Sequence, residues 1–165
     1  MIIPLVWRPL RKSTDVAMIT LPLSPINIRM DPPVADAGGV LRVLAEILAG
    51  PTGLSAEGIA MALQNREMQG STGIGHGVAL PHARMEGVSQ IAIAALRTTQ
   101  GIPFAAPDGL DVYIFLAVVV PKAAATAHLE TLSALAAKLA ADEVREALMN
   151  TPDPQEFFRL LTSPA

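Results

Sequence analysis

The sequence predicts an α/β fold, with strands interior to a sheet and helices layered over them. Three observations predict it. The runs 91–96 and 111–120 are apolar on both faces, as strands covered on both sides are. Segments before and after them carry apolar residues at helical spacing. Of 165 residues, 51% are apolar and only 16% charged, which supplies a sizeable core and excludes wholesale disorder. That length predicts one domain.

Taken in order, residues 1–20 show no convincing period. Pro4, Pro9 and the cluster Arg8-Pro9-Leu10-Arg11-Lys12-Ser13 break any element, so a flexible leader or a mis-assigned start is expected there, with Met18 as the alternative start. Ile26-Asn27-Ile28-Arg29-Met30 alternates apolar and polar residues and predicts a first edge strand, ended by Asp31-Pro32-Pro33. Val40, Val43, Leu44, Ile47 and Leu48 recur at helical spacing, predicting an amphipathic helix over about 35–49 that Gly50-Pro51 stops.

Ser55 opens a second helix as its N-cap, and Ile59, Ala62 and Leu63 form its inner face. Arg66 is the next position on that face. It either complements the helix dipole from the last turn or points at something anionic. After a Gly-rich stretch over 71–84 comes the run 91–96, then a turn at Asp108-Gly109, then 111–120, rich in β-branched and aromatic residues. A helix is predicted from about Ala124, with Leu129, Leu132, Leu135 and Leu139 on its buried side and His128 in its first or second turn. Residues 142–149 and 154–161 predict two short helices, the last with Pro154 at its first position behind Asp153.

Composition narrows the function. The formal net charge is −3, so no basic field attracts a phosphate backbone, and nucleic acid is not an expected partner. There is no cysteine, which removes disulfides, thiolate zinc sites and a cysteine nucleophile. The run 112–120 is far short of the ~20 residues that span a bilayer, so no direct membrane insertion is expected. Arg8, Arg11 and Lys12 follow the first apolar stretch rather than precede it, the wrong order for a secretory signal. A cytoplasmic protein is expected.

The chemistry concentrates in 71–84. Gly73, Gly75 and Gly77 do not have dinucleotide-binding spacing, and strand-like residues follow them where that motif needs a helix. Neither a P-loop nor a Gly-x-Ser-x-Gly elbow is present. The glycines either turn the backbone tightly or let it approach another group without a Cβ. Imidazole is largely neutral and nucleophilic near pH 7, and a neutral histidine can take up and release a phosphoryl group.

Such a site needs a fixed ring, donors for the phosphate oxygens and positive potential. Pro81 restricts the backbone beside His82. Backbone N–H groups of the turn at Thr72, Gly73, Gly75 and Gly77 are candidates to cradle the phosphate. Arg66 is a candidate for a bidentate contact, and His128, near a helix N-terminus, for a further donor. Two other readings stand beside this one. The three histidines His76, His82 and His128 would form a metal site, although no carboxylate sits at ligand spacing between His76 and His82. Alternatively, the histidines are polar loop residues without chemistry.

The block Asn65-Arg66-Glu67-x-x-x-Ser71-Thr72-Gly73-Ile74-Gly75-x-Gly77-Val78-Ala79-Leu80-Pro81-His82 resembles the signature of type 2 enzyme IIA domains of the bacterial phosphotransferase system, the fructose/mannitol-type and nitrogen-regulatory family. Ile102-Pro103-Phe104, Asp108-Gly109 and Val112 are similar to the family's pattern before its long apolar strand, and His128-Leu129 with Leu132 to its second histidine motif. The resemblance runs over about 21–161, so residues 21–165 are expected to form one IIA domain.

It implies a mixed β-sheet flanked by helices on both faces, an α/β/α sandwich. It further implies that His82 is the phosphorylated histidine, Arg66 its supporting arginine and His128 the second active-site histidine, with no cofactor and no metal. The implied partners are an HPr-type phosphocarrier as donor and a IIB domain or a regulated protein as acceptor. The chain has room for one such domain, which predicts a nitrogen-regulatory role; the alternatives are a sugar-specific IIA component donating phosphate to a separate IIB domain and a regulatory binding module without phosphotransfer. Two positions depart from the family pattern: His76, where a non-titrating residue is more usual, and Ala83, where glycine is common.

Overall fold

Two long strands carry the architecture, β5 (Ala92–Ile102) and β6 (Val112–Pro121), paired antiparallel from Ala92 opposite Val119 to Ile102 opposite Val112. The computed structural model describes residues 21–163, and the leader expected over 1–20 lies outside the described residues. Around the central pair stand four shorter strands, β1 (Ile28–Met30), β2 (Gly73–Gly75), β3 (Val78–Ala79) and β4 (His82–Met85). Five helices cover them: α1 (Ala37–Thr52), α2 (Ala56–Gln69), α3 (Ala125–Leu139), α4 (Asp142–Asn150) and α5 (Pro154–Thr162).

β1 lies parallel to β5 on one side. On the far side of β6, β3 and β4 follow one another along the same neighbour, both parallel to it, and β2 returns antiparallel to β3. The sheet is therefore mixed, in the order β1-β5-β6-β3-β2, with β4 attached to β6 alone.

Alternation along the central strands splits the core in two. Successive strand residues face opposite ways. Ala92, Ala94 and Leu96 with Phe115, Ala117 and Val119 pack under α1 and α2. Ile93 and Ala95 with Ile114, Leu116, Val118 and Val120 pack under α3, α4 and α5. Both faces are covered, which is why neither strand shows a polar stripe. Phe115 is fully buried and meets Phe104 edge-on, with centroids 5.3 Å apart. Such a ring contributes about 1.5–3 kcal/mol by burial.

The caps form where the sequence places them. Ser55 Oγ accepts the Gly58 N–H at 3.1 Å, and Asp153 Oδ1 accepts the Gln155 N–H at 2.9 Å ahead of Pro154. Two expectations need correction. Gly50-Pro51 does not stop α1, which runs to Thr52 with Pro51 in its last turn. The stop is Gly53, whose φ of 70° closes the helix with its N–H on the Ala49 carbonyl at 3.0 Å. Leu129 is not on the buried side of α3 but 62% exposed. His128 takes that place at 7% exposure, so the inward stripe reads His128, Leu132, Leu135, Leu139, in steps of four, three and four.

Arg97, on β5, is buried. Its Nη2 meets Asp31 Oδ2 at 2.9 Å, and its Nη1 donates to the carbonyls of Leu148, Met149 and Thr151. It ties the end of α4 to the sheet at the β1 side.

Candidate functional site

His82 is the first residue of β4, whose one strand partner among the described residues is β6. The other edge of β4 opens between α2 and α3, so a side chain there is reached from both helical layers. Between β3 and β4, Pro81 has no N–H to give β6, although its carbonyl accepts the Val118 N–H at 2.9 Å. Leu80 gives its N–H to the Thr72 carbonyl at 3.0 Å, and its own carbonyl receives His82 Nδ1 at 2.8 Å. A carbonyl can only accept, so Nδ1 carries the proton and Nε2 presents a lone pair.

The half-buried ring separates two cavities that share Arg66. One, of about 340 Å³, has Thr72, Gly73, Ile74 and Leu132 in its wall beside His82. The other, of about 510 Å³, is lined by Asn65, Gln69, Arg84 and His128 among others. Arg66 answers both readings of its position. Its Nη1 donates to the Gly70 carbonyl at 2.8 Å, a C-terminal helix contact, while the same side chain lines both cavities.

His128 brings its ring to 4.9 Å from that of His82, centroid to centroid, tilted by 57°. Its Nδ1 accepts from Arg84 Nε at 3.3 Å. Neutral His128 therefore holds its proton on Nε2, which is buried and meets no hydrogen-bond partner among the described residues.

Burial pushes both imidazoles below their ordinary pKa. For His82 the hydrogen bond to Leu80 opposes this, and Arg66 adds to it. For His128 the neighbouring His82, Arg84 and Arg66 add to it. Two neutral rings in a cationic surround are chemically suited to a dianion, since one ring offers a lone pair and the other a donor.

Glu67 organises the Gly-rich stretch. Its carboxylate accepts the Thr72 N–H at 2.8 Å and the Thr72 hydroxyl at 2.6 Å, while Ser71 Oγ donates to the Phe104 carbonyl at 2.7 Å. Gly73 sits against Ala106, where a Cβ would come within 2.9 Å of the alanine side chain. Thr72 and Gly73 thus stand at the His82 cavity.

Gly75 and Gly77 do not line either cavity. With φ of 87° and 78° they form the tip of the β2–β3 hairpin, next to Asp108 and Tyr113. His76 sits between them at φ 57°, exposed, its N–H on Asp108 Oδ2 at 2.8 Å. That bond, with a second from the Leu110 N–H, holds the Asp108 carboxyl below its usual range. The expected cradle is therefore narrower than the glycine pattern suggested. Tight turning explains its second half, and only Thr72 and Gly73 remain beside the histidine.

Arg84 and Glu67 are the residues that sequence reasoning left without roles. A signal for Arg84 existed: it stands two residues after His82, on the same face of a strand. That inference needs β4 to be recognised as a strand, and its four residues between breakers carry little periodicity.

An open mixed sheet flanked by helices is a fold this chain shares with solved enzyme IIA proteins. The structure superposes on nitrogen regulatory protein IIA-Ntr from Neisseria meningitidis with a TM-score of 0.82 and 36% identity, covering 86% of this chain and 97% of that one. IIA mannitol from Escherichia coli shares the fold at a TM-score of 0.72 and 21% identity, over 84% and 98% of the two chains. In sequence, a fructose-specific EIIA component of Haloferax volcanii is 33% identical over 86% of this chain and 91% of its own length. A nitrogen regulatory protein of Pseudomonas aeruginosa is 32% identical over 84% and 91%. Residues 22–163 match the family described as phosphoenolpyruvate-dependent sugar phosphotransferase system, EIIA 2, and the chain belongs to that family.

Proposed function

We propose that this chain is a protein-histidine phosphocarrier in which His82 Nε2 takes a phosphoryl group from an HPr-type phosphocarrier. The observation that carries this reading is the bond from His82 Nδ1 to the Leu80 carbonyl, which fixes the tautomer and leaves Nε2 as the nucleophile. In the transfer, the N–P bond of the donor's phosphohistidine breaks with its electron pair staying on the donor ring. The Nε2 lone pair of His82 forms the new N–P bond. The proton stays on Nδ1, hydrogen-bonded to the Leu80 carbonyl, so no separate base is needed. Arg66 meets the charge of the phosphoryl oxygens, and the Nε2–H of His128 supplies a donor that is otherwise unpaired.

The likeness to IIA-Ntr, closer in fold than that to IIA mannitol, supports a regulatory output in which phosphorylation state is read by another cytoplasmic protein. The identity to the fructose-specific component supports a second reading, donation to a separate IIB domain. Escherichia coli IIA mannitol has itself been solved with phosphorylated IIB mannitol.

Incubation with phosphoenolpyruvate, enzyme I and the HPr-type carrier, followed by intact-mass measurement at alkaline pH, tests the proposal. Wild type gains one phosphoryl mass and His82→Ala none. Equal labelling of the two removes His82 from the reaction. His128→Ala slows transfer without abolishing the label, and an unchanged rate takes His128 out of the mechanism. Adding a IIB domain then separates the outputs, because only the transporter reading predicts onward loss of the label to it.

A further inference from the structure

Among the cationic groups at the His82 cavities, Arg84 is bound to another member of the site and to nothing else among the described residues. Its Nε donates to His128 Nδ1 at 3.3 Å, and no carboxylate pairs with it. The bond crosses from β4 to α3. His82 and Arg84 are separated by one residue on β4 and share a face. The strand that presents the nucleophile therefore also presents the group that orients the second ring.

We infer that Arg84 is a positioning residue for phosphoryl transfer, which locks His128 in the tautomer whose Nε2–H points its donor capacity at the phosphoryl group on His82. The inference rests on the phosphocarrier reading of this site and adds a role for a residue outside the Arg66-His82-His128 set. The physical reasoning has three steps. A guanidinium Nε–H is always a donor, so it can only stabilise an unprotonated Nδ1. A neutral ring with Nδ1 unprotonated carries its hydrogen on Nε2. That Nε2 is buried and unpaired, and a buried donor without an acceptor favours the arrival of one. The rings and cations facing His128 are His82 and Arg84 from β4 and Arg66 from α2, so no carboxylate competes for the orienting role. Arg84 is exposed, and its removal leaves the core intact.

The test compares wild type, Arg84→Met and Arg84→Lys. Long-range proton–nitrogen correlation spectra of the free protein report the His128 tautomer and its titration without any partner. In wild type His128 is neutral as the Nε2–H form. In Arg84→Met the second tautomer appears and the titration midpoint of His128 moves up. Phosphoryl transfer from the HPr-type carrier falls roughly tenfold, the scale on which outer partners of an active imidazole act. Arg84→Lys, which keeps a donor, restores tautomer and rate together.

An unchanged His128 spectrum in Arg84→Met overturns the inference whatever the rate does, since a slower rate would then reflect contact with the carrier. A changed tautomer with an unchanged rate overturns it equally. If wild type takes no phosphate, the phosphocarrier reading falls and the positioning role falls with it, while the spectra still decide whether Arg84 holds His128.

Discussion

Arg97, toward the β1 edge of the sheet, and the pair Arg66 and Arg84, at the β4 edge, use the same side chain in opposite ways. Arg97 is sunk between β5 and α4, with its guanidinium engaged by Asp31 and three backbone carbonyls. Among the described residues, Arg66 and Arg84 each make one hydrogen bond, to Gly70 and to His128, and both line the larger cavity beside His82. A guanidinium whose Nη donors are bonded inside the protein fixes geometry, even where, as here, its buried Nε is left without a partner among the described residues. One whose donors remain free beside a nucleophile supplies potential to an incoming anion. The two regions should therefore respond to mutation on different axes.

The largest expected effect is on the Arg97 side. Arg97→Met strips partners from three carbonyls and from Asp31, and should cost roughly 3 kcal/mol of stability. The phosphotransfer rate of the folded fraction should stay unchanged. Urea unfolding read beside labelling kinetics checks both, and a slowed rate at full folding would break the contrast. Arg66→Gln should do the reverse, slowing labelling by roughly a hundredfold, as loss of one donor to a transition state does, with little change in the unfolding midpoint.

Acidity sharpens the contrast further. His82 and His128 both have folded-state pKa values below the ordinary 6.5, so the unfolded chain takes up more protons as pH falls through that value. Stability contributed by the neutral rings is present above about pH 6.5 and is lost as the pH falls toward their lowered folded values. Unfolding midpoints in matched buffers at pH 7.5 and 5.5 should separate more for wild type than for a His82→Gln/His128→Gln double variant. Equal separations would mean the rings are not held neutral by folding. The smallest effect belongs to Ser55→Ala, which removes the cap of the helix carrying Arg66 and should cost about 1 kcal/mol. Calorimetry measures it.

The sequence carried the layers and the chemistry unevenly. β5 and β6 were legible because burial on both faces leaves a continuous apolar run, although β5 extends past Leu96 to Ile102, where polar residues hide it. His82, Arg66 and His128 were legible through a motif whose spacing the fold brings together. Gly75 and Gly77 misled because glycine signals a backbone shape and not its purpose; here that shape is a hairpin tip. Leu129 misled because a leucine next to a histidine reads as the buried partner, yet α3 turns the imidazole inward. Arg84 and Glu67 act through bonds to His128 and Thr72, contacts that sequence distance conceals.

The Leu80 carbonyl has a consequence for how this domain can change over time. It grips the His82 ring only because the neighbouring strand does not claim it: the Thr72 N–H that stands opposite is taken by Glu67 instead. Completing the β2–β3 hairpin there would regularise the sheet and release the ring. Drift toward a more regular hairpin is thus opposed by the proposed phosphotransfer, and a variant library at residues 67 and 72, sorted first for heat resistance and then for labelling, should show the two rankings diverge.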